Sequence, residues 1–126
     1  MNKNILQFAN QSYLNLETFR KNGEAVRTPV WFVQDGDTLY VRTVNASGKV
    51  KRIRNNGSVK IMPCGRSGEP LGEWVTAQGS EMTDTATAGL VQKLLVEKYA
   101  EQVAMFEART KAGGLEYTVL HITLGA

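Results

Sequence analysis

Between Thr38 and Gly68 the chain carries seven cations, Arg42, Lys49, Lys51, Arg52, Arg54, Lys60 and Arg66, and no aspartate or glutamate. Within this run, Lys49 and Arg52 are three residues apart and would share one face of a helix, with Val50 and Ile53 on another. Ser47 and Gly48 stand where that helix would start, so free backbone N–H groups and a hydroxyl would lie beside the cations. Such a cluster suits a phosphate. A solvated basic face would have the same local sequence, and at this level both readings stand. Upstream, Thr28-Pro29-Val30-Trp31-Phe32 places a proline inside a β-like stretch. Proline removes a ladder donor, so this strand must lie at an edge, be bulged, or face something other than a strand, such as a planar ligand.

Other catalytic sets are scarce. His121 and Cys64 are the only histidine and the only cysteine, which leaves no His/Cys metal cluster and makes a nucleophile with its own base improbable. His121 reads as a structural residue in an alternating strand, and Cys64 as a small core residue. Neither a dinucleotide-binding GxGxxG nor a GxxxxGK[ST] loop is present. Any enzyme chemistry should therefore rest on a bound coenzyme.

The elements that would position these residues follow from periodicity. Residues 3–11 read as a short amphipathic helix, and 13–19 as a strand alternating Leu14, Leu16 and Thr18 against Tyr13, Asn15, Glu17 and Phe19. Asn22-Gly23 supplies a hairpin turn into a strand over 26–34, and Asp35-Gly36-Asp37 a second turn into 38–44. A helix over 48–55, strands over 59–64 and 72–82, a helix over 84–109 and a strand over 116–124 complete the chain. In the long helix Leu90, Leu94, Val103 and Phe106 are apolar positions, and Gly89 is a candidate weak point. The total is six strands and few helices, the pattern of a mainly β protein with flanking helices built as a small antiparallel barrel.

At 126 residues, 42% hydrophobic and 21% charged, the chain has the size and balance of one globular domain. A net charge of +3 is too small to argue for nucleic acid. The single cysteine predicts a reducing, cytoplasmic setting, and the polar N-terminus is unlike a signal peptide. No apolar stretch approaches the roughly 20 residues needed to span a bilayer.

The motifs TPVWF, LYVRT, SGKVKRIRNN and MPC followed by PLGEWV occur in that order within residues 27–75. Together they resemble the pyridoxamine 5′-phosphate oxidase-like split-barrel superfamily, in particular its coenzyme F-420-dependent and FMN-binding oxidoreductases. The resemblance implies a six-stranded split β-barrel and a homodimer with coenzyme at the subunit interface. Thr28, Pro29, Val30 and Trp31 would then line the flavin or deazaflavin ring. Arg42, Thr43, Ser47, Gly48 and Lys49 would hold its phosphate, with Lys51 and Arg52 nearby, while Pro63, Cys64 and Trp74 would border the ring. Coenzyme F-420 or FMN is the expected coenzyme, ahead of FAD or heme, and hydride transfer to a small organic molecule the expected reaction. The alternative is a flavin-binding or storage protein without turnover. Partners of nucleic-acid or membrane type are not expected. Where many members have Asn-Pro-Arg after the basic helix, this chain has Asn56-Gly57-Ser58, which predicts a looser, less basic loop there.

Overall fold

The computed structural model describes residues 3–124. A 3₁₀ helix, Lys3–Phe8, is followed by strands β1 (Tyr13–Phe19), β2 (Ala25–Trp31), β3 (Val33–Asp35) and β4 (Thr38–Val44). Helix α1 (Gly48–Asn55), strands β5 (Ser58–Cys64) and β6 (Val75–Met82), helices α2 (Thr85–Tyr99) and α3 (Glu101–Ala112), and strand β7 (Tyr117–Leu124) follow. The strands form one antiparallel sheet in the order β2-β1-β5-β6-β7-β4-β3. Its two edges, β2 and β3, are consecutive pieces of one segment, so the sheet curls until its edges meet at Phe32.

This explains why the described residues contain seven strands where six were expected. The strand expected over 26–34 pairs with β1 as far as Trp31 and with β4 from Val33 onward, and Phe32 is the crossing point. Side chains replace the ladder there. The Tyr99 hydroxyl accepts the Phe32 N–H at 3.1 Å, and the Lys98 ammonium donates to the Phe32 carbonyl at 2.8 Å. Periodicity within one strand cannot reveal this, because the bonds come from residues more than sixty positions away.

Curling gives the sheet an inside and an outside. Leu14, Leu16, Phe32, Leu39, Val41, Ile61, Leu120 and Ile122 fill the interior, which Ile5 and Phe8 cap from the opening 3₁₀ helix and Val50 and Ile53 from α1. On the outer face, Val33 and Val119 pack beneath a helical stripe of Val91, Leu95, Tyr99 and Val103. This stripe repeats every four residues; of the expected apolar positions Val103 belongs to it and Leu94 packs against it, whereas Phe106 is exposed. The expected 84–109 helix is in fact two. It breaks at Ala100, whose φ of 50° lies in the region that L residues rarely adopt, and runs unbroken through Gly89.

The remaining differences are at boundaries. The first helix is 3₁₀ and ends at Phe8, and the strand expected from Gly72 starts at Val75. The 56–58 loop is well tied, contrary to the looseness expected of it. Gly57 accepts the Gly79 N–H at 2.7 Å, and the Ser58 N–H donates to Asn56 Oδ1 at 3.0 Å. A Cβ at Gly57 would lie 2.7 Å from the Gly79 carbonyl oxygen, so glycine is required for this approach. Among the described residues no helix is long and apolar enough to cross a membrane.

Candidate functional site

The start of α1 gathers five of the residues singled out by sequence. Ser47 takes the extended N-cap conformation, with φ −68° and ψ 153°, yet its side chain makes no capping bond. Its Oγ is buried and without a hydrogen-bond partner. Burying a hydroxyl unpaired is unfavourable, and native structures seldom tolerate it without a reason. Beside it, the Lys49 ammonium reaches the Thr43 hydroxyl at 3.4 Å, a long contact. Burial, and then the neighbouring Arg52 charge, lower the Lys49 pKa from its ordinary value. Arg52 donates through Nε to Thr18 Oγ1 at 2.6 Å and leans over the helix start, so that a Cβ on Gly48 would meet its guanidinium at 2.6 Å. Thr43, Ser47, Gly48, Lys49 and Arg52 thus form a cradle of donors whose cations repel one another. An anion at the helix start would relieve that repulsion. Lys51, one position round the helix, is exposed.

Adjacent strand residues point to opposite faces, and this separates Arg42 from Thr43. The Arg42 guanidinium lies on the outer face over the Tyr117 ring, 4.2 Å from its centroid. It donates to Gln92 Oε1 and, at 3.3 Å, to Glu107 Oε1. There it joins a cleft of about 220 Å³ walled by Pro29, Val30 and Trp31 of β2 and by Tyr13, Leu95, Phe106 and Tyr117. Trp31 is stacked on Tyr99, with ring centroids 4.2 Å apart and planes 12° from parallel, and it also touches Phe106. β2 is a sheet edge, which is why Pro29 is accommodated without breaking a ladder. Thr28 lies opposite Leu16 in the same strand pair.

Pro63 and Cys64 are buried in β5, paired with Leu14 and Tyr13, and do not line this cleft. Burial, helped by Glu69, pushes the Cys64 thiol up to about 11, so it is neutral and unreactive at physiological pH. Trp74 stands before β6 with the Arg27 guanidinium 4.8 Å from its ring centroid. His121 and Tyr40 make an edge contact at 5.5 Å, and both Tyr40 and Trp31 pack against the outer core. Among the described residues no group of His, Cys, Asp or Glu could hold a metal ion. Sequence reading did not single out Tyr99, Phe106, Tyr117, Gln92 or Glu107 for the site. They come from helices and a strand far along the chain; the aromatic character of Tyr99, Phe106 and Tyr117 was the one local hint, and Gln92 and Glu107 carried none.

The family model described as pyridoxamine 5′-phosphate oxidase matches residues 1–125. Among solved structures, a heme storage protein from Vibrio cholerae superposes with a TM-score of 0.73 at 15% identity, covering 96% of this chain and 87% of its own. An F420 reductase does so at 0.62 and 15%, covering 100% and 97%, and an FAD-binding protein from Mesorhizobium loti at 0.63 and 16%, covering 98% and 84%. No curated protein sequence matches. A family match over essentially the whole chain, on a curled antiparallel sheet shared with these structures, means that this chain belongs to the pyridoxamine 5′-phosphate oxidase family of split-barrel proteins.

Proposed function

We propose that the protein binds a flavin or deazaflavin coenzyme, F-420 or FMN ahead of FAD or heme, and is an oxidoreductase acting on a small organic molecule. The observation that carries this reading is the buried, unpartnered Ser47 Oγ beside the half-buried Lys49 ammonium. A phosphate would complete both, with Gly48 leaving room for the Arg52 guanidinium, which adds charge. The edge-strand backbone at Thr28 to Trp31 and the aromatic cleft beside it suit a planar ring. When bound, the coenzyme supplies the hydride, a chemistry that no side chain here offers. The protein's share is to orient the coenzyme, exclude water and neutralise charge. Lys51 would add longer-range attraction. We place the protein in the cytoplasm as a homodimer, an isologous interface completing two sites.

An absorption spectrum of the purified protein, with the mass of any released chromophore, identifies the coenzyme. Removing one partner of a charge-assisted bond costs roughly 1.5–3 kcal/mol, or about tenfold to more than a hundredfold in affinity. Lys49→Ala should weaken coenzyme binding by that factor while leaving the melting temperature of the coenzyme-free protein nearly unchanged. Lys111→Ala removes the same charge from the exposed end of α3. Equal affinities for the two variants would reduce the α1 cations to a solvated basic face. Coenzyme binding without turnover of any reducible compound would leave the storage reading in possession.

A further inference from the structure

We infer that the polar cleft beside the aromatic one is a binding site for a small organic carboxylate, held by Arg42 at the expense of its contact with Glu107, which reaches the guanidinium from outside that cleft. Calling that carboxylate the second reactant rests on the proposed coenzyme reading; the binding itself does not. The cleft, of about 500 Å³, opens between α2 and the outer ends of β4, β6 and β7, and it shares Arg42 and Tyr117 with the aromatic cleft. One guanidinium therefore faces both the proposed ring position and a space large enough for a second small molecule.

The charges in this cleft leave Arg42 as the available one. Arg54, the other cation in its wall, is taken by Glu81, with contacts of 2.7 and 2.9 Å to the two carboxylate oxygens. Glu81 also accepts from the Thr118 hydroxyl at 2.6 Å, so that pair is internally satisfied. Arg42 is served less well. Only 12% of its side chain is exposed, and of its five N–H groups the described residues engage one with Gln92 and one with Glu107. The Glu107 contact, at 3.3 Å through a single oxygen, is long for a charge-assisted bond. Glu107 is 38% exposed on the outer helix α3 and can turn into water. A buried guanidinium whose only carboxylate contact is one oxygen of a surface residue, beside its bond to the neutral Gln92 amide, suits an incoming carboxylate able to make the paired, planar contact. Glu107 shows the chemistry that fits, and its exposure shows that it can yield. Met82, Ala88 and Val119 offer an apolar wall for the body of the molecule.

Benzoate and its uncharged analogue benzyl alcohol are suitable probes, titrated by calorimetry into the full chain with and without coenzyme. Benzoate should bind at least about tenfold more tightly than benzyl alcohol. Glu107→Gln, which weakens the internal competitor without removing bulk, should tighten benzoate severalfold. Arg42→Met should erase the preference, and Arg42→Lys should restore only part of it because the planar fork is lost. Should Arg42→Met fail to fold, Glu107→Gln still decides the matter. Equal binding of the two probes to the wild type, or no tightening in Glu107→Gln, overturns the inference. Benzoate selectivity in a protein that takes up no coenzyme would uphold the carboxylate site and sink the coenzyme reading. Coenzyme uptake without benzoate selectivity would do the reverse.

Discussion

The Ser47 hydroxyl is where local sequence preference and structure part company. Serine before a helix normally caps it, and replacing such a cap with alanine costs about 1 kcal/mol. Here the side chain makes no capping bond and its oxygen is orphaned. Ser47→Ala should therefore leave the coenzyme-free protein as stable as before, or more stable, since an unsatisfied buried polar group carries a penalty of roughly 1–3 kcal/mol. Coenzyme affinity should nevertheless drop by about two- to tenfold, as expected for one neutral hydrogen bond. Thermal melts with and without coenzyme check both parts, and a destabilised coenzyme-free variant would show that Ser47 serves the helix and not a ligand. At Lys98 the sign of a pH effect can be worked out. The residue as a whole is exposed, but its ammonium is drawn against the Phe32 carbonyl and sits 3.6 Å from the centre of the Phe32 ring. Burial lowers its pKa from 10.5 to about 8. Between those values the unfolded chain binds more protons than the folded one, so this residue makes stability rise with pH across that window. Tyr99, whose buried phenol is raised above its ordinary 10, acts in the opposite sense at higher pH. Urea unfolding of wild type and Lys98→Met at about pH 7.5 and about pH 9.5 should show the wild type gaining relative to the variant. A gap that stays constant or moves the other way would contradict the assignment.

At the scale of elements, the outer face depends on how α2 and α3 meet. Their junction, Ala100, has φ 50° and ψ −122°, a backbone state natural to glycine and strained for alanine. Its N–H still donates to the Val96 carbonyl at 3.0 Å, and its carbonyl accepts from Val103 at 3.1 Å, so the bend closes α2 while opening α3. Ala100→Gly should therefore raise stability by about 1 kcal/mol, the relief of strain exceeding the added freedom of the unfolded chain. Chemical denaturation measures it directly, and a loss of stability would mean that the bend is not strained. The same bend orients Phe106 and Glu107, one walling the aromatic cleft and the other holding Arg42. The elements themselves were largely readable from the chain. The 48–55 helix and the strands around it follow from the spacing of apolar residues, turn pairs and alternation, which are local properties. The split at Phe32 and the bend at Ala100 were not readable: contacts from distant elements impose the first, and nothing in the local composition around Ala100 marks the second.

For the whole molecule, the proposed homodimer is the arrangement to measure. Light scattering should give twice the mass of the 126-residue chain, and dilution below the dimer's dissociation constant should weaken coenzyme binding in parallel. A monomer that binds coenzyme tightly would end that proposal. Taken by itself, the amino-acid sequence determined that the chain is mainly β, that its cations concentrate at one helix start, that Pro29 demands an unusual strand, and that one cysteine and one histidine cannot build a His/Cys metal cluster. These are matters of residue type and short spacing, and one chain segment is enough to express them. Only the tertiary structure decided that Arg42 and Thr43, neighbours in sequence, serve opposite faces, that Ser47 is buried without a partner, and that Tyr99, Phe106 and Tyr117 wall the cleft beside Trp31. Each of these depends on which face of a curled sheet is covered and by what, and that is settled by pairing between residues tens of positions apart.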